Sequence, residues 1–324
     1  MSRCGLWQLP SRPVAALVAA LVLATMSPAA GAEAIKQKTY PTAEEAAAAL
    51  AAAAKGHDAK AILEVLGQAS DPLIHSGDPV LDRQARDRFV RAYDESHTVI
   101  KTGDDKAVLE VGDDQWPFPI PMVKTEAGWR FDPAAGKEEI LDRRIGRNEL
   151  AAVQVSLAYV DAQREYYLRD ASGDAVSQYA QKLLSSPGKR DGLFWETKEG
   201  EEPSPFGPLV ASARAKGYEA KGAGATRTRT PYHGYYYKIL TRQGPAAAGG
   251  AYDYVVRGKM IGGFALVAYP AAYDNSGVMT FIVSHDGDVF QKDLGPDTAT
   301  IAEAMTTFDP DATWKRVSPE SSGT

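Results

Sequence analysis

The chain is expected to be an α+β protein, and three observations carry that expectation. Helix-period apolar patterns come first, over residues 42–95, and period-two patterns follow, over residues 98–131. The same order then recurs: a long helical stripe from Asn148 to Asp170 precedes five apolar or alternating runs between Gly234 and Asp293. The length of 324 residues exceeds one ordinary domain, for which ~150 residues is the usual guide. Helices laid on an antiparallel sheet, twice over, would bury those stripes and faces.

Residues 1–32 have Arg3 and Arg12, an apolar run from Val14 to Met26, and Ala30-Gly31-Ala32 as a small-residue cleavage site, the pattern of a secretory signal peptide. The apolar run is too short for a ~30 Å hydrocarbon core. Cleavage would start the mature chain at Glu33, with no transmembrane segment left. Cys4, the sole cysteine, lies ahead of the apolar run, so the mature chain would have no thiol, disulfide or Cys-bound zinc. The expected location is periplasmic or secreted, with other envelope proteins as the partners to consider. A net charge of -6 with dispersed Lys and Arg offers no polybasic stripe, which speaks against nucleic acid.

In the first expected domain, 33–147, Thr42-Ala-Glu-Glu45 is a capping box that opens an alanine-rich helix running to Lys55. Asp58 caps a second helix, AKAILEVLG. Asp82 reads as the start of a third, with Ala85, Phe89, Ala92 and Tyr93 on one face. Short strands follow at Thr98–Thr102, Ala107–Val111, Ile120–Lys124 and Gly128–Phe131, separated by Gly- and Asp-rich turns. Between them, Trp116-Pro-Phe118-Pro-Ile-Pro121 reads as an edge strand kept from pairing by its prolines, or as an aromatic docking platform. His57, His75 and His97 sit at helix or loop edges and read as surface residues. This element order and the ending GWRFDPAAGKEEIL resemble the NTF2-like (cystatin-type) cone, a bent sheet that in some members holds a ligand pocket. No catalytic Asp-His pair of the kind found in enzymes of that family is visible here.

A boundary is expected between Ile140 and Asn148, and the second domain at 148–317. Asn148 reads as an N-cap and Asp170-Ala-Ser-Gly173 as a stop, with Leu150, Val153, Leu157, Val160, Tyr167 and Leu168 forming the buried stripe. Leu157 should therefore lie against the strand Gly263–Tyr269. Residues 175–195 read as a short helix and a tight loop around Leu193, Phe194 and Trp195. Leu209–Ala215 reads as a helix ended by Gly217, and residues 220–229 as a mobile loop. Strands at Gly234–Leu240, Asp253–Val256, Gly263–Tyr269, Val278–Ser284 and Val289–Asp293 make an antiparallel sheet of four or five strands, with turns at RGKM, PAAYDNSG and Asp286-Gly287. A helix at Thr298–Phe308 and a disordered tail at 318–324 complete the chain.

The long helix, the strands GFALVAYP and GVMTFIVSHDGDVFQKDLG, and the Asp-Gly turn between the last two resemble the heads of type IV pilins and type II secretion pseudopilins. The hydrophobic stem of those proteins is missing, since EEILDRRIGRNE precedes the stripe. The segments WPFPIPMVK, GWRFDPAAGKEEILDRRIGRNEL, SSPGKRDGLFW, PYHGYYYKILTRQGPAAAGGAYDYVV, GGFALVAYP and SGVMTFIV resemble the bacterial exported domain-of-unknown-function family 2950. That resemblance implies a Gram-negative exported protein and transfers no activity.

Among candidate sites, His233 in PYHGYYYK is surrounded by Tyr232, Tyr235, Tyr236 and Tyr237, which reads as a ligand-binding aromatic cluster or as a strand with alternate tyrosines packed. Arg143, Arg144 and Arg147 could bind an anion or form inter-domain salt bridges with the surrounding acids. His285, Asp286 and Asp288 share one turn, too few oxygens for calcium. No G-x-S-x-G, H-E-x-x-H, Walker A, dinucleotide or EF-hand signature is present. The candidate binding residues are thus His233, Tyr232, Tyr235, Tyr237, Trp116, Phe118, Arg143, Arg144 and Arg147, with no catalytic, metal or cofactor residue assigned. Three readings follow: a non-catalytic envelope binding protein, a binder or enzyme using the cone, or an accessory subunit of a secretion or pilus system.

Overall fold

A computed structural model of the chain describes residues 35–169, 176–218 and 230–318. The expected signal peptide, the helix stop at 170–173, the loop at 220–229 and residues 319–324 of the expected tail lie outside the described residues. No helix among the described residues is long and apolar enough to cross a membrane.

The N-terminal part opens with α1 (Ala43–Lys55) and α2 (Ala59–Leu66), each started by the residue its sequence advertises. The Thr42 hydroxyl accepts from the Glu45 N–H at 3.1 Å, and the Asp58 carboxylate from the Ala61 N–H at 3.0 Å. After the short α3 (Asp71–Ile74), α4 spans Pro79–Glu95. Its cap is Asp78, not Asp82. Proline at the first helical position, with no N–H to satisfy, fixes the start one turn earlier than expected. The first sheet contains β1 (His97–Lys101), β2 (Lys106–Val111), β3 (Trp116–Pro117), β4 (Met122–Thr125) and β5 (Gly128–Phe131). Its order is β1-β2-β4-β5, every pairing is antiparallel, and β3 pairs with the far end of β2. Tyr40 extends the edge by exchanging two backbone hydrogen bonds with Trp129, 2.8 and 2.7 Å. Leu50, Ile62, Leu109, Ile120, Met122, Trp129 and Phe131 form the apolar core between these helices and this sheet.

Then comes α5, 36 residues from Pro133 to Leu168. The expected start at Asn148 is overturned, because Asn148 lies mid-helix. Gly136, inside the helix, has a packing reason: a Cβ there would lie 2.3 Å from the Pro119 carbonyl oxygen. Asn148, only 4% exposed, donates from its amide to the Ser276 carbonyl at 2.8 Å. Glu149 accepts from the Val278 and Met279 N–H groups at 3.0 and 2.9 Å.

No helix forms over the described residues of 175–195; that segment is irregular, with isolated bridges from Tyr179 to Met260 and from Leu184 to Phe194. Next come α6 (Gly207–Ala215), β6 (Tyr235–Leu240), β7 (Arg242–Gln243), β8 (Tyr252–Asp253), β9 (Val255–Val256), β10 (Lys259–Met260) and β11 (Ala265–Pro270). The chain continues with β12 (Met279–Ser284), β13 (Val289–Asp293), α7 (Thr298–Ala304), β14 (Thr307–Phe308) and β15 (Lys315–Arg316). The second sheet has five antiparallel strands in the order β15-β13-β12-β11-β6. Residues 253–256, expected in it, belong instead to the small pairings β14-β7-β8 and β10-β9. The helix expected at Thr298–Phe308 stops at Ala304, and its last residues enter β14.

The C-terminal half of α5 packs on β11, β12 and β13. Its buried face is Ala152, Val153, Ser156, Tyr159, Val160, Gln163 and Tyr166, rotated from the expected stripe. Leu157 is 41% exposed and Leu168 82% exposed, so the expected contact of Leu157 with the sheet does not exist. Small residues let the helix lie close to the sheet, tyrosines reach across it, and Gln163 is fully satisfied. The Gln163 amide donates to the Ala180 carbonyl at 2.8 Å and to the Tyr159 hydroxyl at 3.0 Å, while its oxygen accepts from the Ala180 N–H at 2.8 Å. Leu157→Ala is accordingly expected to change stability by less than ~0.5 kcal/mol. Tyr159→Ala, which empties a fully buried site, should cost ~3–5 kcal/mol. Urea denaturation of the two variants measures the difference.

Candidate functional site

The residues with the most unusual surroundings meet where α4 approaches the start of β6. Asp78 is completely buried and receives four donors. One carboxylate oxygen accepts from the Val80 and Leu81 N–H groups at 3.1 and 3.2 Å, closing the first turn of α4. The other accepts from the Tyr218 hydroxyl at 2.8 Å and from the Gly234 N–H at 3.0 Å. These four hydrogen bonds occupy both carboxylate oxygens, as a polar group buried this deeply requires.

His233 precedes Gly234, whose N–H donates to this carboxylate. Tyr232, His233, Gly234 and Tyr235 form a two-residue turn closed by reciprocal backbone bonds of 2.9 and 3.2 Å between Tyr232 and Tyr235. Both central residues are left-handed, His233 at φ 52° and Gly234 at φ 73°, as a type I′ turn requires. Gly234 has no alternative, since a Cβ would meet the Asn148 amide at 2.6 Å. The His233 N–H donates to the Tyr218 hydroxyl at 3.3 Å, and its ring lies edge-on to Tyr232 with centroids 4.5 Å apart. Its Nε2 lies 3.3 Å from the Lys216 ammonium, which donates to the neutral ring. Burial and then Lys216 lower the imidazole pKa from its ordinary 6.5, while Asp78 pulls the other way. Burial, reinforced by Asp78, raises the Tyr218 hydroxyl, and burial likewise raises Tyr237.

The expected tyrosine cluster divides in two. Tyr232 stays beside His233, and Tyr237 joins it by donating to the Tyr232 carbonyl at 3.3 Å. Tyr235 turns into the second core, where its hydroxyl donates to the Met279 carbonyl at 2.9 Å. Asp78, Tyr218 and Lys216 were not legible as members. The one local signal was Asp78-Pro79, a capping acid before a proline.

The three arginines also separate. Arg143 pairs with Glu139 at 2.5 Å on its own helix. Arg144 donates to the Pro72 carbonyl at 2.8 Å, and also to the Leu73 carbonyl and the Asn275 side-chain oxygen. Asn275 in turn donates to the His75 carbonyl at 2.9 Å. Arg144 thus ties α3 to the turn between β11 and β12 through neutral acceptors, not through the expected salt bridge. Arg147 is exposed; burial, and then Arg147 and Arg91, lower the pKa of Arg88. Trp116 is 42% exposed on β3, while Phe118 packs on Phe89 and Phe131 with centroids 5.2 and 6.1 Å away. Among the described residues no group of three or more His, Cys, Asp or Glu could hold a metal ion.

The family described as "Protein of unknown function (DUF2950)" matches residues 37–317, which takes in both cores and the junction between them. The chain belongs to the DUF2950 family. No curated protein and no solved structure matches it. In this DUF2950 protein, then, roles must be argued from side-chain geometry.

Two expectations follow. Asp78→Asn places an amide N–H₂ against the Tyr218 hydroxyl or the N–H donors, and should cost ~3 kcal/mol of stability by urea denaturation. For His233, the unfolded ring protonates near its ordinary 6.5 and the folded ring only at lower pH. The unfolded state therefore binds more protons in that window, and stability falls as pH drops below about 6.5. His233→Asn, which keeps a residue tolerant of the left-handed backbone, should flatten this slope in urea midpoints measured across the window.

Proposed function

We propose that this DUF2950 protein is an exported envelope protein that works by binding rather than by catalysis. The observation that carries the reading is the commitment of Asp78. A general base needs a free lone pair within reach of a substrate proton, and both oxygens of this carboxylate are already held by internal donors. The aromatic filling of the first core supports the same reading, because Phe118 packs on both Phe89 and Phe131.

Export rests on the signal pattern of residues 1–32 and on a mature chain without cysteine. On this reading the N-terminal part is an NTF2-like cone and the C-terminal part a pilin-type head without its stem, divided at 147/148. The separate apolar clusters support the division, one drawing its buried residues from 43–131 and the other from 152–308.

The test presents the mature full chain to isolated envelope fractions: sacculi, outer-membrane vesicles and periplasmic extract. At least one fraction should retain it, and His233→Asn should be retained equally well. Turnover of any envelope-derived substrate that disappears in His233→Asn, with the melting temperature held, would overturn the reading.

A further inference from the structure

We propose that Arg88, Arg91 and Arg147, where α4 meets the middle of α5, bind a phosphate group carrying two negative charges. This deepens the binding reading above, on which it rests, by naming a surface and a ligand class. α4 carries four arginines, Arg83, Arg86, Arg88 and Arg91, and all its acids but the terminal Glu95 are engaged elsewhere. Asp78 caps the helix, and Asp82 accepts from the Ser76 N–H through both oxygens at 3.1 Å. Asp87 lies 3.5 Å from His57 Nε2, and Asp94 pairs with Lys55 at 2.6 Å. Among the described residues no ion pair engages Arg88, Arg91 or Arg147, whereas Arg143, one turn before Arg147, has Glu139.

Their placement brings the three together. Arg88 and Arg91 have the i,i+3 spacing that puts side chains on one face of a helix. α5 meets α4 at Gly234, whose N–H donates to Asp78 at 3.0 Å and whose missing Cβ would lie 2.6 Å from the Asn148 amide. Arg147 immediately precedes Asn148. Burial lowers the pKa of Arg88, and the charges that add to this effect are Arg147 and Arg91, both of its own sign. Arg144 gives no relief: it too is positive, and it directs its donors to the Pro72 and Leu73 carbonyls and to Asn275. Arg88, Arg91 and Arg147 are all exposed, so a ligand can reach them. In a chain of net charge -6 they make a local reversal of sign, and like charges held together without a counter-ion oppose the fold. A dianion seated among them turns that repulsion into attraction. Each guanidinium presents its N–H groups as a planar fork that matches two phosphate oxygens. Three forks exceed what one carboxylate can accept and suit a tetrahedral group with several free oxygens, which is why arginine clusters recur in phosphate recognition.

The experiment titrates the full chain, above the second phosphate pKa of ~6, with inorganic phosphate and, separately, with phosphatidylcholine vesicles containing phosphatidic acid, which carries the same group on a lipid surface. Potassium chloride at matched ionic strength and vesicles of phosphatidylcholine alone are the controls. A saturable heat with a raised melting temperature is expected in the phosphate arm, or saturable co-sedimentation in the phosphatidic acid arm, and neither in the controls. The arm that acts identifies a soluble phosphorylated molecule or a headgroup as the source. The double variant Arg88→Gln, Arg147→Gln should bind about tenfold or more weakly, and its free form should melt no lower than the parent because two repelling charges are gone. Arg91→Gln alone should weaken binding about threefold or more, and it decides the question if the double variant does not fold. Lys60→Gln, which removes an exposed charge on α2 outside the cluster, should bind like the parent. Absence of saturable binding in both arms, arginine variants that bind like the parent, or an equal loss in Lys60→Gln overturns the proposal. If envelope retention persists in that case, the arginine assignment alone has failed; phosphate binding by a chain that no fraction retains would keep the site and remove the envelope reading.

Discussion

One helix serves two cores, and the rest of the structure depends on that sharing. The first turns of α5 close on the N-terminal sheet through Gly136 against Pro119, and its later turns cover the second sheet through Tyr159, Val160 and Tyr166. A backbone that is hydrogen-bonded from Pro133 to Leu168 resists bending between them, since a kink needs a proline, an inserted side chain or a bulge. Asn148, Glu149 and Arg144, all near its middle, hold the loops of both halves to this one axis.

Asp78 completes the attachment from the other side. A buried carboxylate unmatched by four donors would be costly, so the cap of α4, the Tyr218 hydroxyl and the Gly234 N–H have to arrive together. The same group that starts a helix therefore specifies how that helix meets β6. His233 owes its depressed proton affinity to burial and then to Lys216, against the pull of Asp78.

Much of this was legible where the signals are local. Thr42 and Asp58 announce their helices because a cap needs only its own first turn, and the alternation of β2 and β5 marks the first sheet. Long-range partners were not legible. Asn148 resembles an N-cap until Ser276 is seen to accept from it, and the start of the helix at Pro133 is fixed by a close approach, Gly136 against the Pro119 carbonyl, that no local pattern marks. The stripe on α5 was misplaced because hydrophobicity favours Leu157 and Leu168, while close approach to a sheet favours Ala152 and Ser156, and polar Gln163 is buried with both amide ends satisfied. Of the candidate site, Tyr232, His233 and Tyr237 were visible as neighbours in sequence. Asp78, Tyr218 and Lys216 come from elsewhere in the chain and leave no periodic trace.

A helix of 36 residues measures about 54 Å at 1.5 Å per residue. Its ends lie in different cores, so it sets a fixed spacing between whatever touches the N-terminal sheet and whatever touches the region around Tyr166. Two partners held at those positions could neither collide nor drift apart, and tension applied between them would load a rod rather than a hinge. A molecule built this way is a ruler between its two cores.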